Sequence, residues 1–254
     1  MLRTIFVSSQ HLQIMKLQIF NSYELMSDAA ADLIIDIVTN KPDAVLCFAT
    51  GNTPLLTYQL LVEKAVSQHT DFIKCFCIGL DEWLGVAEDN SGSCHYILQK
   101  QIFQPLGITK NQVHLFNGTA DDPENECEKM NKIIEVRGGI DCMLVGIGTN
   151  GHIGFNEPGV DVSRKAHIAA LHETTIVSGQ DYFNEPTIIG KGITLGMAQV
   201  MQARTLLLLA SGKNKAAILQ QAIRGAISNE VPASYIQQHE NALILVDKEA
   251  AATL

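Results

Sequence analysis

Five apolar runs recur along this chain with very little polar interruption: "AVLCFA" (44–49), "IKCFCIGL" (73–80), "CMLVGI" (142–147), "TLLLLA" (205–210) and "ALILVD" (242–247). Runs this short and this continuous suit strands that are covered on both faces. Amphipathic stretches separate them. "SYELMSDAAADLIIDIVTN" (22–40) carries apolar residues at helical spacing, with Ser22 placed to cap it. "TPLLTYQLLVEKAVSQ" (53–68) opens with Thr53 as a cap and Pro54 at a favoured first helical position. "NKAAILQQAIRG" (214–225) ends at a glycine. The alternation predicts a three-layer α/β fold, a doubly wound and mostly parallel sheet with helices on both faces. Ligands of such sheets bind beyond the carboxyl ends of the strands.

A chain of 254 residues could form one large domain or two small ones. No internal repeat, low-complexity tract or Pro/Ser-rich linker divides it, so a single domain over 1–254 is expected. The net charge of −9 argues against nucleic acid or an anionic membrane as partner, since both need a basic patch. It leaves room for a small phosphorylated ligand held by a few local donors. No apolar stretch approaches the ~20 residues of a membrane span. The six cysteines form no CxxC pair, and four sit in or beside apolar runs. Reduced core thiols in a cytoplasmic protein are therefore expected. The opening "MLRTIFVSSQHLQIM" lacks the apolar core and cleavage site of a signal peptide. Met15 is a second candidate start, which would make residues 1–14 an N-terminal extension.

Four polar clusters follow the apolar runs. "FATGNTP" (48–54) offers Thr50, Gly51, Asn52 and Thr53 as backbone and hydroxyl donors around an anion at a helix N-terminus. It is neither a P-loop nor a GxGxxG fingerprint, and an ordinary strand-to-helix turn would read the same way. "IGLDEWLG" (78–85) ends on Asp81 and Glu82. A carboxylate partly desolvated at a strand end gains the pKa of a useful general base, whereas a solvated turn acid does not. Trp83 reads as core or pocket wall. In "GIGTNGHIGFNEPG" (146–159), His152 sits among glycines where a ligand can reach it, and Asn150 and Glu157 are candidates to fix its tautomer and stabilise its charge. The alternative there is a loop histidine with an ordinary hydrogen bond. "SGKNKAAILQQ" (211–221) brings Lys213 and Lys215 to a strand-to-helix junction, to face an anion or only solvent. No GxSxG elbow, HExxH or paired-cysteine pattern occurs, so neither a serine hydrolase triad nor a metal site is expected, and no cofactor is called for.

Together, "ATGNTP", "LDEW", "GIGTNGHIGFNEPG", "KGITLGM", "SGKNKA" and "PASYIQQH" stand in the order found in the hexosamine-6-phosphate deaminase/isomerase family, which the chain resembles from about Met15 to its end. The resemblance implies conversion of a 2-amino-2-deoxyhexose 6-phosphate to the ketohexose 6-phosphate with release of ammonia. It implies Asp81 as the base that shuttles a proton from C2 to C1, and His152 as the ring-opening acid/base oriented by Glu157. Asn150 occupies a position that is aspartate in some members; an amide can hold the imidazole but stabilises its charge less well. Thr50, Gly51, Asn52, Thr53 and Lys215 match the phosphate site. Related 6-phosphogluconolactonases share the fold and a Gly-His motif but typically lack the "FNEP" that carries Glu157.

The chain also departs from the pattern. Asp181, in "SGQDYF" (178–183), stands where many glucosamine-6-phosphate deaminases carry a phosphate-binding arginine, and "SRKAH" (163–167) replaces an arginine-rich stretch that serves an allosteric site in some members. "KPDAV", "TPLLTY", "LDEW" and "QPLG" look closer to the galactosamine-6-phosphate branch. Two other readings stay open: a lactonase of the same fold, which would not need Asp81, and a non-catalytic sugar-phosphate-binding regulator. Residues 160–190, polar and without a strong strand signal, are the candidate mobile cover. Homo-oligomerisation is left open.

Overall fold

The computed structural model describes residues 3–8 and 14–254. In chain order its strands are β1 (Arg3–Ser8), β2 (Ile14–Phe20), β3 (Val45–Phe48), β4 (Phe76–Gly79), β5 (Asp81–Trp83), β6 (Val113–His114), β7 (Cys142–Gly146), β8 (His167–Ala170), β9 (Lys191–Thr194), β10 (Thr205–Ala210) and β11 (Ala242–Asp247). The helices are α1 (Tyr23–Asn40), α2 (Leu55–Ser67), α3 (Cys94–Leu98), α4 (Pro123–Val136), α5 (Glu173–Gly179), α6 (Met197–Gln202) and α7 (Ala216–Arg224). All five expected strands form. Ser22 caps α1 by accepting from the Leu25 amide, and Gly225 ends α7.

Among the described residues, eight strands make the main sheet in the order β1-β2-β11-β10-β7-β3-β4-β6. Only the β1–β2 pair within it is antiparallel. Its apolar runs are continuous because alternate side chains feed two different cores. Leu206, Leu208 and Ala210 of β10 pack on one face, and Leu207 and Leu209 on the other. Every one of these five is essentially inaccessible to water. Helices α1 and α2 cover the second face, while α4, α6 and α7 cover the first.

The strand order reverses between β3 and β7. From β3 the chain winds outward through β4 and β6, then returns to place β7 on the other side of β3 and winds toward β10 and β11. The loops after β3 and β7 therefore diverge and leave a crevice at their carboxyl ends.

Several expectations need correcting. Thr53 does not cap α2; the helix begins one residue later, with Pro54 in the cap position and no side-chain cap bond. Asp81 does not end β4. It starts the short β5, which pairs antiparallel with β9 in a separate sheet of order β5-β9-β8. Residues 160–190 contain strand structure after all: β8 lies there, followed by α5. Its signal was weak because only alternate residues of β8 are buried. This smaller sheet rests above the crevice with its own apolar cluster of Trp83, Val86, Cys94, Phe155, Ala169, Leu171 and Ile189. All six cysteines are buried and unpaired. No helix among the described residues is long and apolar enough to cross a membrane. The extension proposed over residues 1–14 lies partly outside the described residues, which include only Arg3–Ser8 and Ile14 of it.

Candidate active site

A cavity of about 390 Å³ fills the crevice. Its walls come from the loops after β3, β4, β7 and β10, and from the α5 region of the cover. Thr50, Gly51, Asn52 and Thr53 line it on one side, Asp81 and Trp83 on another, and His152 and Lys215 on the rest. Residues far apart in sequence meet because their strands are neighbours: Phe48 pairs with both Gly79 and Leu144, and Gly146 with Leu209.

Asp81 is 9% exposed. Burial pushes its carboxyl up to about 7, against a lesser downward pull from the Cys94 thiol, whose Sγ lies 3.5 Å from Oδ1. A group near neutrality can both take and return a proton. Its neighbour Glu82 turns away from the cavity. The Glu82 carboxylate accepts from the backbone N–H groups of Trp83, Cys94 and His95 and so anchors the start of α3. Burial pushes its pKa up while these bonds pull it back.

The 146–159 loop folds tightly on itself. The Gly148 amide donates to the His152 carbonyl at 2.9 Å, and a side chain at Gly148 would collide with the His152 ring. Gly154 has φ of 56°, and a Cβ there would press on Thr194 Oγ1 and lie 3.2 Å from Asp81 Oδ2. Glycine is needed at both, in one case for room beside the imidazole and in the other for a left-handed backbone against the carboxylate.

His152 Nδ1 lies 3.3 Å from Glu157 Oε2 and 3.1 Å from Thr175 Oγ1. The ring packs against Gly148 and lines the cavity, with Nδ1 the nitrogen that Glu157 and Thr175 engage. Burial pushes the Glu157 carboxyl up, but the hydrogen bond and charge of His152, with Thr175 and Asn150, outweigh it and hold the group at about 2. Glu157 is thus a fixed anion behind the histidine. Asn150 needs correction. It does not hold the imidazole: its Nδ2 donates to Glu157 Oε2 at 2.8 Å, and its Oδ1 accepts from the His152 backbone N–H at 3.1 Å. The residue steadies the carboxylate and the loop, because both ends of its amide are taken, one by Glu157 Oε2 and the other by the His152 backbone N–H.

Lys215 donates from Nζ to the Ile147 carbonyl at 2.8 Å, which aims its head group into the cavity. Burial lowers its pKa. Lys213 does not line the cavity, whereas Asp181 does. Thr175 lines the cavity without any motif signal, and Tyr182, Ser211 and Asn214 line it from motifs that assigned them no role of their own. Ser211 donates to Asp247 at the end of β11, and Asp247 also accepts from the Gly212 amide, so a carboxylate remote in sequence fixes the lysine-bearing loop. The aspartate at the end of "ALILVD" was visible but unassignable without the β10–β11 pairing. Among the described residues, no three His, Cys, Asp or Glu side chains cluster at metal-ligand spacing.

Residues 22–245 match the family model of glucosamine-6-phosphate isomerases/6-phosphogluconolactonase. The chain is 40% identical over 241 residues to a glucosamine-6-phosphate deaminase of Thermoanaerobacter sp., covering 94% of this chain and 95% of that one. It is 38% identical to a glucosamine-6-phosphate deaminase of Clostridium acetobutylicum, covering 94% and 100%. A solved monomeric glucosamine-6-phosphate deaminase superposes with a TM-score of 0.91 at 35% identity, over 94% of this chain and 99% of the other. The 6-phosphogluconolactonase of Trypanosoma brucei gives 0.76 at 19% identity over 94% and 98%, a likeness of fold alone.

Proposed function

This chain belongs to the glucosamine-6-phosphate isomerase/6-phosphogluconolactonase family, and we propose that it is a hexosamine-6-phosphate deaminase acting on galactosamine 6-phosphate in preference to its C4 epimer, glucosamine 6-phosphate. The observation that carries the reading is the shared cavity: a carboxyl near neutrality, an imidazole backed by a fixed anion, and a loop-plus-lysine anion site all open onto it.

The chemistry follows from those groups. The loop of Thr50, Gly51, Asn52 and Thr53, with Lys215, takes the 6-phosphate. His152, backed by Glu157, moves a proton to the ring oxygen while the anomeric hydroxyl loses one, and the pyranose opens to the aldehyde. Asp81 removes the C2 proton and returns it at C1, while a proton on nitrogen passes to O1. The product of that shift is a ketose 2-imine. Addition of one water and loss of ammonia give the ketohexose 6-phosphate, which balances the reaction. Asp81 suits the shuttle because an ordinary aspartate near pKa 4 would be too weak a base to take the C2 proton, whereas a carboxyl near 7 can both take it and return it.

Preference for the galactosamine substrate is supported by "KPDAV", "TPLLTY", "LDEW" and "QPLG", and by Asp181 on the cavity wall in place of the arginine of many glucosamine enzymes. The curated relatives named above act, by name, on glucosamine 6-phosphate. The two epimers differ in one hydroxyl, so a few hydrogen bonds decide between them. The lactonase reading has less support, because Asp81 in its dry pocket and Glu157 would then be idle. Incubating the purified protein with galactosamine 6-phosphate, glucosamine 6-phosphate and 6-phosphogluconolactone tests all of this. Ammonia from the galactosamine substrate at the higher kcat/KM is expected. Ammonia from neither amino sugar would overturn the deaminase reading, and a higher kcat/KM for glucosamine 6-phosphate would overturn the preference.

A further inference from the structure

Behind the cavity wall a buried chain of polar groups runs from the anion loop to the base. Thr50 Oγ1 lies 3.0 Å from Cys94 Sγ, and Cys94 Sγ lies 3.5 Å from Asp81 Oδ1. Its direction is fixed by what each group can do. An ionised carboxylate only accepts, so the thiol must supply the proton toward Asp81. Burial pushes the Cys94 thiol far above its ordinary pKa, so it keeps that proton. The Thr50 hydroxyl then donates to the sulfur. Cys94 itself does not line the cavity; it is 2% exposed and is held at the start of α3 by the bond from its backbone N–H to Glu82.

We propose that Cys94 is a positioning residue for the proton shuttle: its thiol holds Oδ1 of Asp81 against the wall, leaves Oδ2 toward Gly154 and the substrate, and ties the base to the loop that takes the phosphate. This rests on Asp81 being the shuttle of the proposed deamination. The asymmetry of the carboxylate supports it, since one oxygen meets the sulfur while the other lies on the side of Gly154. The other ionisable groups around Asp81 are Glu82 beside it on β5, Cys47 on β3, Tyr58 on α2 and Tyr182 after α5. Burial pushes both phenols and the Cys47 thiol up, so they stay neutral, and Glu82 is turned onto the backbone of α3. His152 and Lys215 share the cavity. Among these, Cys94 is the group that donates to the carboxylate.

The test is the pH dependence of Cys94→Ala and Cys94→Ser beside wild type. Removing the thiol donor destabilises the Asp81 anion, so the acid limb of kcat moves to higher pH in Cys94→Ala. The ratio of kcat at pH 6 to kcat at pH 9 is expected to fall roughly threefold, and Cys94→Ser, which keeps a donor, is expected to recover most of it. A residue that merely fills space would lower kcat at every pH and leave the limb where it was; superimposable profiles for wild type and Cys94→Ala would overturn the proposal. A readout independent of turnover accompanies it: the infrared carboxyl titration that Asp81→Asn removes should shift upward in Cys94→Ala. If wild type releases no ammonia, the deaminase reading fails, while this titration still decides whether Cys94 governs Asp81. An unshifted titration with an active enzyme defeats the Cys94 proposal alone.

Discussion

Asp81 and Glu157 are equally buried, each 9% exposed, and they serve one cavity from two different loops. Yet burial carries the first to about 7, and the partners of the second hold it at about 2. The difference lies in what surrounds them. Asp81 sits among Cys94, glycine backbone and apolar walls, and its one side-chain donor is a weak thiol. Glu157 receives Asn150 Nδ2, lies within reach of His152 Nδ1, and takes the His172 backbone N–H on its other oxygen at 3.3 Å. Desolvation penalises both anions, and the hydrogen-bond donors of Glu157 together with the charge of His152 separate them. One carboxyl is left free to change protonation near neutral pH; the other is locked as a counter-ion.

This contrast can be broken deliberately. The largest effect is expected from Asp81→Asn, which removes the shuttle: kcat should fall about 10²- to 10⁴-fold, with binding of inorganic phosphate, read by calorimetry, preserved. Turnover near wild type would refute the assignment of the base. The same variant should be more stable than wild type at pH 8. The sign follows from the raised folded-state pKa: ionised Asp81 costs stability, a cost absent below about pH 4 and growing until the pH passes about 7. Chemical denaturation should show a gain of up to about 4 kcal/mol at pH 8 that fades toward pH 4. Glu157→Gln should behave oppositely. Its depressed pKa means that the anion stabilises the fold above about pH 4.5 and that this is lost as pH falls through about 2, so the variant is destabilised at pH 7 and converges with wild type in acid. Its kcat/KM should fall about 10- to 100-fold, because the imidazole loses its orienting partner. The smallest effect is expected from Asn150→Ala, about 1 kcal/mol in transition-state binding, or roughly fivefold in kcat/KM. A loss as large as that of Asp81→Asn would mean that Asn150 acts on substrate directly.

The five central strands of the main sheet, β11, β10, β7, β3 and β4, were legible because a doubly covered strand must be apolar at every position, a signal that survives without any knowledge of partners, whereas β1, β2 and β6 toward its edges were not read from the sequence. Those of the smaller sheet were not. The three residues of β5 include two acids, and β8 buries only alternate positions, so their strand character comes from pairing with β9. The candidate site divides in the same way. Its polar clusters announced themselves by following apolar runs, but Thr175 stands in no motif, and Tyr182 and Asn214, though inside "SGQDYF" and "SGKNKA", are brought to the cavity by the packing of the cover and of the loop after β10.

Residue order by itself determined the parallel α/β sheet, the four loops that open at its carboxyl edge, and the residue types able to take an anion and move a proton. Only tertiary structure decided that Glu82 caps a helix while Asp81 stays dry, that Asn150 serves Glu157 instead of His152, and that Cys94 sits between Thr50 and Asp81. The reason is physical. Periodicity and polarity are properties of neighbours along the chain, whereas desolvation and hydrogen-bond supply depend on groups brought together from different strands, and these set what each carboxyl can do.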